Sequence, residues 1–382
     1  MKPNQIIRRA RQIDTDWQRR WSPDRRCLLL NANLPMQYAM MAPIHQRMAK
    51  DKRLSFYFTS PDDASDRSRI FAEAGNGIRC INRFHAAFMK FDAYLAADFI
   101  WTTLPRGTSR VQIFHGVAGK YGNIYDRPEK SVREWDRLFF INRRRLNNFI
   151  ATGAIDDNSQ AARLIGMPKT DCLVDGSLDR NQILSFLGLD PSRPTLIYAP
   201  TWTPYSSLNA MGEELVGQLV LAGYNLIVKL HDNSLDPDHP MNSGGIDWAG
   251  RLKPILSART GHLAKQGNIS PYLVAADLMI SDHSSAAFEY LLLDRPLIRI
   301  EMDELIARTD THPDYVALLI EASTSVRTVA QAVASVEREL ADPGRLSGQR
   351  KSVAEELFYK PGTATDRAVR ELYEVMELSP NG

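Results

Sequence analysis

At residues 278–285 the string LMISDHSS passes from an apolar run, Leu278-Met279-Ile280, straight into Ser281, Asp282, His283, Ser284 and Ser285. A plain turn needs only Gly or Asn, yet this one gathers a carboxylate, an imidazole and hydroxyls. If Ser284 or Ser285 caps the helix-like stretch that continues to Leu293, the first amides of that helix are unpaired donors. They sit at a partial positive charge, which suits a phosphate. Simple capping without any ligand fits the same residues. The pair His283-Ser284 does not read as a hydrolase, because the chain has no GxSxG elbow and sequence neighbours seldom face each other.

Two more polar clusters follow apolar runs in the same way. QIFHGVAGKYG sets His115 and Gly116 after residues 111–114, and LIVKLHD sets Lys229 and His231 at the end of residues 226–230. In an open parallel sheet, ligands bind outside the carboxyl ends of strands, so three such placements point to one kind of site. A histidine titrates close to neutral pH and can take a proton from an attacking hydroxyl; a lone histidine at a strand end also serves purely structural ends. Gly116, Gly119 and Gly122 form a GxxGxxG run that is neither GxGxxG nor a Walker loop. It is either a cationic loop that brings Lys120 to a phosphate or an ordinary solvent loop. HDNSLDPDH, residues 231–239, is rich in metal-ligand types but follows no ligand spacing, and no metal or other cofactor is expected.

The elements that must position these residues alternate between strand-like and helical patterns, which predicts α/β with largely parallel sheets. In the first half, residues 27–31, 55–58, 91–95, 99–101, 111–114 and 137–141 read as strands, with helices near 38–50 and 145–155. IGMPKTD at 165–171 and DPSRPTL at 190–196 mark the crossing to a second half. There, strands at 196–199, 226–230 and 278–280 alternate with helices at 210–222 and 270–276. Val329, Ala332, Val333, Val336 and Leu340 make an amphipathic helix that Thr324-Ser325 can cap and Asp342-Pro343-Gly344 ends. Val369, Leu372, Tyr373 and Met376 repeat the pattern in a last helix. Two restarting halves predict two Rossmann-like domains, residues 1–178 and 179–382, whose parallel sheets face a central cleft.

The chain of 382 residues is long enough for two cores, and its 44% hydrophobic and 24% charged residues are ordinary for globular proteins. A net charge of +2 gives no electrostatic case for nucleic acid. Cys27, Cys80 and Cys172 are scattered without a CxxC, so neither a disulfide framework nor a zinc site is indicated, and a reducing cytoplasm fits best. No stretch approaches the ~20 apolar residues of a membrane span, and no apolar signal core opens the chain. Residues 1–26 carry eight Lys or Arg against three Asp, and Ile6, Ala10, Ile13, Trp17 and Trp21 form one apolar stripe. That stripe is either a terminal helix packed on the body or a membrane-surface anchor.

Taken together, these segments resemble the CDP-glycerol glycerophosphotransferase family, the teichoic-acid primases and polymerases. The match runs in order from about residue 110 to 367. QIFHGVAGKYG resembles the family's Trp-His-Gly-Thr-Pro-x-Lys, IGMPKTDCL its Gly-x-Pro-Arg-x-Asp, and LIYAPTW its Leu-Tyr-Ala-Pro-Thr-Trp. VKLHD falls where the family has Arg-Pro-His-Pro. ADLMISDHSSAAFEYLLLDRPLI resembles Ala-Asp-x-x-Ile-Thr-Asp-Tyr-Ser-Ser-x-x-Phe-Asp, and YKPGTATDRAV the closing Asp-Gly-x-Ala-Ser-x-Arg. The chain departs from the family at Val117-Ala118 for Thr-Pro, Lys229-Leu230 for Arg-Pro, Asp232 for Pro, His283 for Tyr and Glu289 for Asp.

The resemblance implies a GT-B-like fold with a C-terminal helix crossing back and the donor held mainly by the second domain. It implies transfer of a polyol phosphate, glycerol phosphate first, from a CDP-polyol to a hydroxyl of a cell-envelope polymer or lipid-linked acceptor, with release of CMP. His115 and His231 would be catalytic. Gly116, Lys120, Thr201, Lys229, Asp282, Ser284, Ser285 and Glu289 would bind substrate, with Asp282, Ser284 and Ser285 on the donor phosphates. The family's enzymes act in the cytoplasm at the inner face of the membrane, which gives residues 1–26 a membrane surface as partner. A GT-B glycosyltransferase or epimerase acting on a UDP-sugar, and a non-catalytic nucleotide-binding protein, are the competing readings.

Overall fold

The structure, a computed structural model, describes residues 24–61, 67–117, 130–256, 260–264 and 267–380. The basic stripe therefore lies outside the described residues up to position 23, as do Lys120, Gly119 and Gly122. Two six-stranded sheets dominate. The first holds β1 (Arg26–Asn31), β2 (Leu54–Thr59), β3 (Ala93–Ala97), β4 (Ser109–Ile113), β5 (Arg137–Phe140) and β6 (Ala162–Leu164), in the order β2-β1-β3-β4-β5-β6. The second holds β7 (Thr195–Tyr198), β8 (Asn225–Val228), β9 (Gly261–Leu263), β10 (Leu278–Ser281), β11 (Leu297–Ile300) and β12 (Thr324–Val326), in the order β12-β11-β10-β7-β8-β9.

All five pairings of the second sheet are parallel. So are those joining β2, β1, β3 and β4 in the first. Strands covered on both faces read as unbroken apolar runs rather than alternations, which is why LMIS, LIRI and NLIV are buried throughout. The helices used below are α1 (Pro35–Met48), α2 (Arg83–Ala86), α3 (Arg143–Ala151), α4 (Ser207–Leu221), α5 (Ala286–Leu291), α6 (Val329–Ala341), α7 (Ser347–Leu357) and α8 (Ala364–Val375).

The chain separates into two compact units. The first comprises Met1–Ile113, Glu134–Leu138 and Asp366–Gly382; the second comprises Phe114–Arg133 and Phe139–Thr365. In the first unit the C-terminal segment returns to the chain's beginning. Arg26 donates to the carbonyls of Met376 at 2.6 Å and Glu377 at 3.1 Å, and Tyr373 donates its phenol to Asp51 at 2.9 Å. Arg53 holds Asp51 through paired bonds of 3.0 and 2.7 Å and reaches the Ser379 carbonyl at 2.8 Å. In the second unit Leu196, Tyr198, Leu215, Leu226, Val228, Leu278, Ile280, Ile298 and Val336 share one core. Each such side chain contributes about 1.5–3 kcal/mol when fully buried.

Several expected elements differ. Residues 99–101 form no strand, because Asp98 and Phe99 take positive φ (51° and 59°) and turn the chain at the end of β3. The place beside β3 goes to β4 instead. Thr324 and Ser325 lie in β12 rather than capping a helix; Thr328 caps α6 by accepting from the Gln331 N–H at 3.2 Å. β8 stops at Val228, so Lys229 and Leu230 belong to the segment after the strand. The stretch expected to run to Leu293 forms α5 only as far as Leu291.

Candidate active site

β10 is the central strand of the second sheet between β11 and β7, and its exit delivers Ser281 and Asp282 into a fully buried position. Asp282 is 0% exposed and yet satisfied. One carboxylate oxygen accepts the Thr201 backbone N–H at 2.9 Å and the Thr201 hydroxyl at 2.5 Å. The other accepts the Ser207 backbone N–H at 3.0 Å and the Ser207 hydroxyl at 2.9 Å. Ser207 is the first residue of α4, whose N-cap Ser206 makes no side-chain capping bond. Asp282 therefore supplies from a distant strand the acceptor that this helix start requires. Ser281 donates to the Ala199 carbonyl at 2.7 Å, and Tyr198 shares a 2.9 Å bond with the Ser207 hydroxyl. Burial, with the Asp282 charge adding, pushes the Tyr198 phenol well above its ordinary range.

Asp282, expected on the donor phosphates, and Thr201, expected to bind substrate, are engaged with each other in this geometry. Both carboxylate oxygens are occupied by protein donors, and Thr201, also buried, has given its N–H and its hydroxyl proton to Asp282. A second anion next to a desolvated carboxylate would in addition be repelled. The two residues clamp the ends of β7 and β10 to the start of α4.

Beyond the clamp, the Tyr315 phenol donates to the carbonyl of the fully buried His283 at 3.1 Å. Ser284 and Ser285 emerge into partly exposed positions. Ser285 is the N-cap of α5 but has helical φ and ψ and makes no capping bond; the Ser284 hydroxyl lies 3.4 Å from the Ala286 N–H. Expected capping is thus weak, and α5 is a six-residue helix with a correspondingly small dipole.

The segment after β8 carries Lys229, 7% exposed, with its ammonium donating to the Leu230 carbonyl at 2.6 Å. Burial pulls its pKa down, the Lys169 charge pulls the same way, and Asp232 opposes both. Lys169 donates to Glu289 at 2.8 Å, both side chains being largely buried. The other Glu289 oxygen is buried without a hydrogen-bond partner among the described residues. Gly166, at φ 89°, turns the chain out of β6 into the 3-10 segment Pro168–Leu173 that presents Lys169. Lys169 was missed in the sequence although a signal was there, since it stands where the resembled family has Arg.

His231 follows in an extended conformation, half-buried, with its ring 5.9 Å from Trp202. Its Nδ1 accepts the Asn233 backbone N–H at 3.1 Å. A backbone amide can only donate, so the neutral ring carries its proton on Nε2.

His115 and Gly116 leave the end of β4, both half-buried. The residues around His115 are pinned from α3. Arg145 donates to the Gly116 carbonyl at 2.8 Å and lays its guanidinium 3.8 Å from the Phe114 ring centroid. Asn142, the N-cap of α3, accepts from the Arg145 N–H at 2.8 Å and donates to the Val117 carbonyl at 2.8 Å and the Leu357 carbonyl at 2.9 Å. Phe114 packs in turn on Phe140 and Phe149. A cleft of about 770 Å³ in the second unit, lined by Asn142, Arg143, Tyr359 and Lys360 among others, contains none of the expected catalytic or substrate-binding side chains.

The profile of the family described as CDP-glycerol:poly(glycerophosphate) glycerophosphotransferase matches residues 42–373. A teichoic acid poly(glycerol phosphate) polymerase of Staphylococcus epidermidis is 26% identical over 182 residues, 46% of this chain and 24% of the polymerase. A teichoic acid glycerol-phosphate primase of Bacillus spizizenii is 30% identical over 137 residues, 35% of this chain and 32% of the primase. The chain thus spans a quarter to a third of the length of these curated relatives. A solved structure of the wall teichoic acid polymerase TagF shares the fold at TM-score 0.67 and 14% identity, covering 99% of each chain. A TagF variant soaked with CDPG matches at the same TM-score over 99% of this chain and 98% of that one.

Proposed function

The chain belongs to the CDP-glycerol:poly(glycerophosphate) glycerophosphotransferase family, and from that premise we propose that it transfers glycerol phosphate from CDP-glycerol to an acceptor hydroxyl. The observation that carries this reading is that the family match spans His115, His231 and the Ser284-Ser285 pair together. In the reaction the acceptor oxygen attacks the phosphorus that bears glycerol. The bond from that phosphorus to the bridging oxygen breaks, CMP leaves with the bridging oxygen, and the hydroxyl proton passes to His115. His231 has its proton on Nε2 and is suited to donate to the leaving phosphate rather than to abstract.

Ser284 and Ser285 supply hydroxyl donors, and Lys229 supplies an ammonium held in low dielectric, where its attraction for a phosphate is strengthened. Asp282 and Thr201 position these groups, Glu289 holds Lys169 near Lys229, and Gly116 lines the site. Lys120 adds a cation from outside the described residues. The acceptor is a teichoic-acid-type polymer, lipid-linked at the inner face of the cell membrane, with residues 1–26 as a surface contact. The N-terminal domain, residues 1–178, takes the acceptor and residues 179–382 the nucleotide.

The test is incubation of the purified chain with CDP-glycerol, CDP-ribitol and UDP-sugars, with native membranes as acceptor. CMP released from CDP-glycerol, dependent on acceptor, is expected. Turnover of a UDP-sugar alone would replace this reading with a glycosyltransferase or epimerase, and nucleotide binding without turnover would replace it with a non-catalytic binder.

A further inference from the structure

The turn that carries His231 is held by a buried serine further along the chain. β7 and β8 pair in parallel, and Trp202 and His231 follow their carboxyl ends with ring centroids 5.9 Å apart. Ser243, 0% exposed, bonds to both segments. Its N–H donates to the Trp202 carbonyl at 2.7 Å, and its hydroxyl donates to the same oxygen at 2.9 Å. The hydroxyl also shares a 2.8 Å bond with that of Ser234, itself buried. Ser234 lies in the 3-10 turn Asp232–Leu235 and donates its N–H to the His231 carbonyl at 2.9 Å. The Ser243 carbonyl in turn accepts the Asn209 side-chain amide and the Trp248 indole N–H, each at 3.0 Å. One residue thus joins the backbone of the His231 turn to that of Trp202, whose ring lies beside the imidazole.

The backbone of Ser243 is left-handed, at φ 50°, and Gly244 and Gly245 continue at 77° and 68°. Glycine meets this conformation without strain, whereas a side chain makes it costly, and it then persists only where neighbours enforce it. At Gly244 the need for a bare backbone is steric, because a Cβ would come within 2.8 Å of the Asn209 amide. At Ser243 the chain keeps a side chain despite the strain, and its hydroxyl is the link to Ser234. We propose that Ser243 is a positioning residue for the transfer reaction: it fixes the His231 ring against Trp202 so that Nε2 meets the leaving phosphate. The inference rests on His231 acting as the proton donor. Nδ1 is already committed to the Asn233 N–H at 3.1 Å, so the place of Nε2 depends on where the turn sits.

The experiment measures CMP release from CDP-glycerol by the full chain, with native membranes as acceptor. Ser243→Gly removes the hydroxyl while easing the backbone, so the Tm should stay near the parent's. Its kcat should fall about 10- to 100-fold with KM for CDP-glycerol little changed. Ser234→Ala cuts the same link from the other side and should lower kcat similarly, whereas Ser234→Thr, which keeps a hydroxyl, should recover much of the rate. In a His231→Asn background, Ser243→Gly should lower the rate by less than about twofold, because the group it positions is gone. A purely structural role would lower the rate by the same factor in both backgrounds. Multiplicative losses in the double variant, or a parent-like kcat for Ser243→Gly, would overturn the proposal while leaving His231 in the mechanism. A parent-like kcat for His231→Asn would overturn both.

Discussion

Asp282 and Thr201, 81 residues apart in sequence, meet through a single carboxylate oxygen that accepts both the N–H and the hydroxyl of the threonine. The partner oxygen does the same for Ser207, so one buried charge holds four donors and two loop ends. Asp282→Asn keeps the shape but places an NH₂ group against donors. At about 1.5–3 kcal/mol per bond to a charged group, a loss of roughly 3 kcal/mol is expected. Urea unfolding would measure it, and donor turnover should fall with it because the Thr201 and Ser207 segments lose their anchor. A midpoint equal to the parent's would remove the clamp from the account.

His231 holds the backbone with one nitrogen and presents the other. His231→Asn retains an acceptor suited to the Asn233 amide and removes the Nε2 donor. CMP release should drop by about 10² to 10⁴ while the Tm stays within about 2 °C of the parent. Equal loss is expected for His115→Ala. Unchanged CMP release in either variant removes that histidine from the mechanism.

Arg145 is a positioning residue, acting on the His115 segment through the Gly116 carbonyl and the Phe114 ring. Small displacements of a reacting group can cost on the order of 10²-fold. Arg145→Ala should therefore lower kcat by about 10- to 100-fold with KM for CDP-glycerol little changed. Arg145→Lys, which keeps a donor and a cation, should recover part of the rate. A KM effect of the same size as the kcat effect would place Arg145 on the donor instead.

Acid should loosen the C-terminal return. Hydrogen bonding from Arg53, with Tyr373 assisting, lowers the Asp51 carboxyl from 3.8 to about 2. A folded pKa below the unfolded one means the contribution is full above about pH 4 and fades as pH falls toward 2. Water screens the outer side of Arg53, so about 1–2 kcal/mol is expected at neutral pH. Asp51→Asn should lower the Tm at pH 7 and converge on the parent as pH approaches 2. A constant difference across that range would refute the linkage.

Much of the architecture was legible from the residues. Runs such as LLLN, TLIY and LMIS are apolar on both faces, and only a strand covered by helices on each side tolerates that. The 3.6-residue stripe of Val329, Ala332 and Val336 likewise required a helix. These are local properties, written by hydrophobic period. β11 escaped because LIRI interrupts its run with Arg299, a residue that is buried and bonded to Ser325 across the sheet and to Glu301 just beyond its own strand.

The types and order of the reactive residues, from His115 through Asp282 to Ser285, also belonged to the sequence, because chemistry is a property of the side chain. What each one does was decided by tertiary structure. Asp282 became a clamp and Lys169 gained Glu289 as partner because hydrogen bonds and ion pairs depend on atoms brought within about 3 Å from distant parts of the chain. Linear spacing carries no record of that distance.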